Sequence, residues 1–430
     1  LVSALAFSAA LLPALLSTSR AEAANTFDGT QNVEVYQGLV LSSARILALS
    51  GAYVGIAEGQ DGQSFNVAAL AQRDRQTNEA WGYDLTLSLN LSSLAPSLLP
   101  AKQDDAGGNI GDHPTQHALT EVGIMFQAGR FGVGFLFRRF NFSTKTLQGD
   151  TIGATSNDLS LGVAYGFLHE SLLVGAEVVL GGATIDGPNN STGAGIDFST
   201  PKVRLGTLFR PRDLNFRLGL QVEPGVVAHR SAAYGLPLSD GLLTPAGVSL
   251  PWVVRAGGSV WIGPNASFYN APSPQARSEE VLEAHLNNAP EPTYREPSST
   301  GWQPLMLTVE ADLVGTSPDA ISLTDFVQQQ SGQPARLVGT GVTVSPHAGA
   351  EWEAVPRWIR IRGGSYYEPS RYGGTGRIHG TFGGDIRLPL YVIDLRLSAA
   401  ADFASNYQDV AFSLGTWHDV GPQGTIGVHK

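Results

Sequence analysis

His113, His117 and the pair His418-Asp419 are the side chains of this 430-residue sequence best suited to moving a proton or holding a metal. None of them completes a site. His113 and His117 lie in a polar stretch with no clear third ligand, no nucleophile motif accompanies His418-Asp419, and the absence of cysteine removes thiolate metal sites and disulfides. The sequence therefore predicts no enzyme, no cofactor and no metal. The guanidinium groups of Arg204, Arg217, Arg255, Arg360 and Arg362 offer a second chemistry, because a planar fork can hold both oxygens of a carboxylate. That carboxylate could belong to a bound guest or to a neighbouring Asp or Glu. All five share a parity with other polar residues, so the elements that place them decide which.

Those elements are alternating strands. From Trp81 to Ser92 every odd residue is apolar and every even one is polar or glycine. This run is longer than the five or six residues typical of a soluble strand and matches the nine to eleven that a tilted strand needs to cross a bilayer. Similar segments fall near 118–128, 131–142, 156–168, 171–182, 200–210, 214–224, 252–262, 304–314, 342–353, 357–367, 377–388, 391–403 and 408–417. With the first they make fourteen, an even number as bacterial single-chain barrels have. Alternate connections are short: Gly129-Arg130, His169-Glu170, Pro211-Arg212-Asp213, Ala354-Val355-Pro356 and Pro389-Leu390. The opposite set is mostly longer and polar, which is the asymmetry of periplasmic turns and extracellular loops. One connection breaks the rule: 264–303 is long yet falls on the periplasmic side, and its acidic stretch Ser278 to Leu286 reads as a short helix.

Composition agrees with an all-β transmembrane barrel. Charged residues are only 15% of the chain and glycines number 51, low for a soluble surface and suited to tight turns and a crowded lumen. A net charge of -11 argues against nucleic acid as a partner. Arg or Lys facing the bilayer midplane costs about 2 to 4 kcal/mol, so Arg217, Arg360, Arg362, Asp385, Arg387, Asp394, Arg396 and Asp402 are expected to face inward. Trp81, Trp252, Trp352, Trp358 and Trp417 fall near strand ends, where an aromatic girdle would sit.

The expected organisation is a signal peptide over 1–23, ending in the small-x-small pattern Ala21-Glu22-Ala23, an N-terminal plug over 24–80, a barrel over 81–418 and a tail over 419–430. Within the plug, Gly51-Ala52-Tyr53-Val54-Gly55-Ile56-Ala57, a polar turn over 58–64 and Phe65-Asn66-Val67-Ala68-Ala69-Leu70 resemble the N-terminal hatch of the FadL family of outer-membrane long-chain fatty-acid transporters. Asn66, Ala68 and Leu70 stand in the family's Asn-Pro-Ala-Gly-Leu positions, with Val67 for its proline and Ala69 for its glycine. Arg362-Gly363-Gly364-Ser365-Tyr366-Tyr367-Glu368-Pro369-Ser370 resembles a late strand-to-loop segment of the same barrels. The resemblance implies a fourteen-stranded barrel with an internal hatch, passive uptake of a hydrophobic small molecule, and lateral release into outer-membrane lipid through a kinked third strand.

In this chain Phe131, Val133, Phe135 and Phe137 hold one parity and Phe140 and Phe142 the other, so a β-bulge with a wall opening is expected at Arg138 and Arg139. Leu94 to Leu99 and Tyr234 to Leu250 are candidate apolar lining. Two other readings stand beside uptake: a scaffold for a secretion or motility complex that binds a periplasmic protein through 264–303, and an open porin.

Overall fold

The computed structural model describes residues 31–36, 38–72, 81–92, 116–145, 151–186, 196–212, 214–229, 245–263, 265–294, 305–329, 335–372, 374–390 and 394–417. The expected signal peptide, His113, His418-Asp419, Leu94 to Leu99 and the 419–430 tail lie outside them. Alternation becomes a wall because each strand can bury one face only. In β2 (Trp81–Leu91), Leu85, Leu87 and Leu89 are exposed on the outside while Asp84, Thr86, Ser88 and Asn90 are buried inside. The same two faces recur along β3 (Gln116–Ala128), β4 (Phe131–Lys145), β5 (Thr151–Phe167), β6 (Leu172–Asp186), β7 (Ile196–Phe209), β8 (Phe216–Glu223), β11 (Val253–Ile262), β12 (Leu305–Val314), β15 (Thr343–Val355), β16 (Ile359–Glu368), β17 (Arg377–Pro389), β18 (Asp394–Ala404) and β19 (Tyr407–Thr416). These fourteen strands pair antiparallel with their neighbours and close into a barrel when β19 meets β2.

The remaining strands cap the barrel at the end carrying the long connections, the extracellular end by the usual asymmetry. β1 (Asn32–Glu34) runs parallel between β10 (Gly247–Leu250) and β13 (Ala320–Ser322), and β9 (Val226–His229) and β14 (Leu337–Val338) complete a five-stranded sheet. Asn32–Glu34, within the segment expected as plug over 24–80, thus help build a lid instead, a pairing that three residues of sequence could not announce. Val33, Val248, Ile321 and Phe326 form its core with Phe142 and Phe198 from the wall. Arg371 fixes β1 by donating to both oxygens of Glu34, at 2.6 and 2.8 Å.

From the cap the chain descends through the lumen. Helix α1 (Ala44–Ala48) is buried, its first amide donating to Ser413 Oγ at 2.7 Å and its last carbonyl accepting from Thr381 at 3.0 Å. Below it Glu310 Oε2 accepts from the amides of both Tyr53 and Val54 at 2.7 Å. Two 3-10 turns, Gln60–Ser64 and Val67–Ala71, end the descent. Glycine in the wall permits this contact: a Cβ on Gly132 would stand 1.7 Å from Leu70 O, and one on Gly219 1.9 Å from Val54 O. The plug carbonyls occupy the space that side chains would take.

Residues 265–294, the described part of the long connection after β11, fold against the short turns at the opposite mouth. Ala266–Asn270 forms a 3-10 turn whose Tyr269 stacks on Trp261 at 4.5 Å. Helix α2 (Pro274–Leu286) follows, starting four residues before the predicted acidic stretch because Ser273 caps it and Pro274 occupies its first turn. It is strapped to three short turns: Arg130 to Glu279 at 2.5 Å, His169 to Glu283 at 3.0 Å, and Arg212 to Glu280. Glu170 accepts from Ser273 Oγ at 2.7 Å.

Two local expectations are corrected. Phe131 to Lys145 pairs with β3 and β5 in unbroken register, so there is no bulge at Arg138 and Arg139. Arg138 points inward, held 3.1 Å from Glu121, and Arg139 is exposed. The apolar parity changes because the surroundings change. Above Phe137 the outside of the wall is polar and the inside, at Phe140 and Phe142, is apolar. Trp417 is likewise not in an outer girdle: it is buried, with the Arg360 guanidinium 4.1 Å above its ring, whereas Trp81, Trp352 and Trp358 are exposed at the short-turn end.

Candidate functional site

Between cap and plug the lumen keeps a cavity of about 230 Å³. Its floor is Ser64 and Phe65 of the plug. Val248 and Leu250 of β10 and Leu323, the first residue of α3 (Leu323–Gln329), come from the cap. The cavity lining is both apolar, from Leu39, Leu41, Leu119, Phe140 and Phe142, and ionic, from Arg138, Asp158, Lys202, Arg204, Glu223 and Arg255, and the two kinds adjoin where Arg138 donates to Leu41 O at 2.7 Å. This explains the inverted parity of β4: its upper aromatic residues face a cavity, and its upper polar residues face out.

The cavity cations are already paired. Arg204 reaches Glu177 at 3.1 Å and Glu223 at 2.8 Å. Lys202 lies 3.6 Å from both Asp158 and Glu223. Arg255 meets Asp312 at 3.1 Å and lies 5.1 Å over the Phe65 ring. A guest carboxylate would have to exchange with a resident one, whereas an uncharged apolar guest needs only the apolar lining residues.

Of the five predicted arginines, Arg204 and Arg255 line this cavity. The other three sit in the packed part of the lumen. Arg217 is fully buried, donating to Glu58 at 2.8 Å, Asn270 at 2.9 Å and the carbonyls of Ile56 and Tyr269, and so joins the plug to the 3-10 turn Ala266–Asn270. Arg362 holds Asp385 with both terminal nitrogens at 2.5 and 2.6 Å and Glu351 at 2.5 Å. Arg360 covers Trp417. Lys202 and the inward Arg138 are cavity residues that parity could have added: both have the polar-in phase of their strands.

The hatch residues lie against the wall. Asn66 caps the turn that follows it by accepting from Ala68 N at 3.1 Å, and donates to Val54 O and Thr207 O at 2.9 Å. Val67 donates its amide to Gln221 at 3.3 Å, a bond that a proline at this position would forfeit. Ala68 and Leu70 are buried among Met125, Ala164, Leu173 and Leu208. Arg45 anchors the upper plug, contacting Glu351 at 3.2 Å and Glu58 at 3.1 Å. Burial alone would lower its basicity, but Glu351, Tyr53 and Glu58 together hold it well above the ordinary arginine value. It stays charged at any relevant pH.

The His117 ring is buried against Asp409 at 3.0 Å, and the nearby Ser92 hydroxyl meets the His117 backbone amide, at 3.3 Å, rather than its ring. Among the described residues no group of three or more His, Asp or Glu side chains is arranged to hold a metal.

No family model matches the sequence, and no characterised protein matches it by sequence. Solved structures do match in shape. The CymD monoaromatic hydrocarbon channel aligns at a TM-score of 0.53 and 13% identity, covering 88% of this chain and 98% of that chain. A deltaS2 mutant of the TodX monoaromatic hydrocarbon channel aligns at 0.45 and 12%, covering 84% of this chain and 95% of that one. The CymD likeness establishes a shared outer-membrane barrel fold.

Proposed function

We propose that this barrel passes small hydrophobic molecules across the outer membrane by diffusion, with the cavity between cap and plug as their binding site. The observation that carries the reading is that cavity: it lies between the cap sheet and the plug, has a set of apolar lining residues, and is lined by cations that already have carboxylate partners. Its volume of about 230 Å³ exceeds the roughly 150 Å³ of an engineered apolar cavity that holds benzene, and falls below the roughly 300 Å³ at which pockets for drug-sized ligands begin. A single aromatic ring or a short acyl chain fits better than an extended long-chain fatty acid. The name of CymD, a monoaromatic hydrocarbon channel, points to the same class of guest.

The test is uptake of labelled toluene and labelled palmitate by cells with the gene, without it, and with Ala154→Trp, which fills the cavity wall. Toluene uptake should fall on deletion and in the variant while palmitate uptake is unchanged. Loss of palmitate uptake alone would return the assignment to long-chain fatty acids.

A scaffold role is the second reading, supported by Leu282 and Leu286, which are 59% and 74% exposed on α2. Under it, Leu282→Glu with Leu286→Glu would abolish co-purification of a periplasmic protein and leave toluene uptake intact.

A further inference from the structure

The carboxylates in and beside the cavity are not equally engaged. Glu121 lies 3.1 Å from Arg138 Nε, Glu177 and Glu223 accept from Arg204 at 3.1 and 2.8 Å, and Asp312 accepts from Arg255 at 3.1 Å. Asp158 differs. It lines the cavity with its side chain 18% exposed, its ion-pair partner Lys202 is 3.6 Å away and shared with Glu223, and among the described residues it accepts no hydrogen bond. The strands beside it explain why. Asp158 is paired with Arg138 on β4 and with Gly181 on β6. Arg138 directs its guanidinium to Glu121 and, at 2.7 Å, to Leu41 O, and Gly181 places no side chain over the carboxylate. One step towards the cap on the same ladders, Ser156 lies opposite Phe140 and Ala183, and beyond it Ala154 lies opposite Phe142. Diagonal neighbours on one face of a sheet are about 7 to 8 Å apart, so an acceptor without a donor adjoins an apolar wall.

We infer that the guest of this cavity is a single aromatic ring carrying a hydroxyl group, a simple phenol, with its ring against Phe140, Phe142, Ala154 and Ala183 and its hydroxyl donating to Asp158. This rests on the proposal that the cavity receives small hydrophobic molecules, and names their class. A carboxylate only accepts, so the group it takes must be a donor. Charge then selects among donors. An ammonium guest would enter beside Lys202 and next to Arg138, the residue paired with Asp158, and an anionic guest would face Asp158 itself. A neutral hydroxyl meets neither repulsion. A bare hydrocarbon fits the space but displaces water from the carboxylate without replacing its bond, which is how a site built for a hydroxyl rejects an analogue that lacks one. p-Cresol is toluene with one oxygen atom added, so volume does not separate the two guests and the bond to Asp158 does.

The test is equilibrium dialysis of labelled p-cresol, 4-methylanisole and toluene against the purified full chain in detergent, each corrected for its uptake by empty micelles. 4-Methylanisole keeps the ring and the oxygen of p-cresol and loses only the donor. The wild-type protein should bind p-cresol about tenfold or more tighter than either of the other two. Asp158→Leu, which removes the acceptor, should erase that gap. Asp158→Asn, which keeps the shape and a weaker acceptor, should narrow it several-fold and serves if the leucine variant does not fold. Equal affinities in the wild type, a gap that both variants leave intact, or tighter binding of 4-methylbenzylamine than of p-cresol overturns the inference. Uptake by cells separates it from the transport reading. If cells with and without the gene take up toluene and p-cresol alike while the purified protein prefers p-cresol through Asp158, the transport reading falls and the guest class stands. If toluene uptake depends on the gene and that preference is absent, the guest class falls and the transport reading stands.

Discussion

The two halves of the lumen use the same residue types for opposite ends. Near the short turns, arginines tie a packed lumen together: Arg217 joins Glu58 and Ile56 of the plug to Asn270 and Tyr269, and Arg362 joins three wall strands by clamping Asp385 while holding Glu351. Near the cap, Arg138, Lys202, Arg204 and Arg255 also have carboxylate partners, but one side of each pair faces open space. The plug makes the difference. Where it touches glycine the lumen is solid; where it bends away between Leu41 and Phe65 a cavity remains. An inward arginine is therefore not evidence of a ligand site until the space beside it is known.

That contrast can be broken at its packed end first. Gly132→Leu puts a side chain where Leu70 O sits, 1.7 Å from the new Cβ, and should cost more than about 3 kcal/mol, read as loss of the heat-modifiable barrel band on gels. Gly380→Ala, with nothing within 4 Å, should change stability by under about 0.5 kcal/mol. Next, Arg362→Ala leaves Asp385 buried without its bidentate partner and should cost about 3 to 5 kcal/mol, seen as a lowered unfolding midpoint in urea. Lys202→Ala at the cavity should cost less, about 1 to 2 kcal/mol, because its two contacts are long at 3.6 Å and Glu223 keeps Arg204 at 2.8 Å. If the two prove equal, the division of the lumen is wrong. The smallest effect belongs to the periplasmic strap: Glu280→Gln weakens its pair with Arg212, a contact worth about 1 kcal/mol or less. It should speed proteolysis within 266–294 without moving the global midpoint.

Much of the wall was legible because a bilayer imposes one rule on every strand. The alternation from Trp81 to Ser92 becomes β2, with Leu85, Leu87 and Leu89 outside, and the short connections fall where chain parity requires them. The same rule misled at Phe140 and Phe142. Alternation reports the polarity of each surrounding, and above the membrane band the apolar side is the inside. The acidic helix in the periplasmic connection was legible from its own residues, but its straps to Arg130, His169 and Arg212 depend on turns far away in sequence. Parity likewise sends Arg204 and Arg217 inward alike; which carboxylate each meets, and whether a cavity lies beside it, depends on the path of the plug.

The parallel insertion of β1 between β10 and β13 has a consequence for assembly. Both partners lie in the second half of the chain, so Asn32–Glu34 can be seated only after Gly247–Leu250 and Ala320–Ser322, more than 200 residues away, have been brought together. Contacts so distant in sequence form late, since loop closure must come before any reward. The lid then acts as a record of completed folding: a barrel that closes in the wrong register presents β10 and β13 at the wrong spacing, and its N-terminal segment stays open to proteases that patrol the envelope.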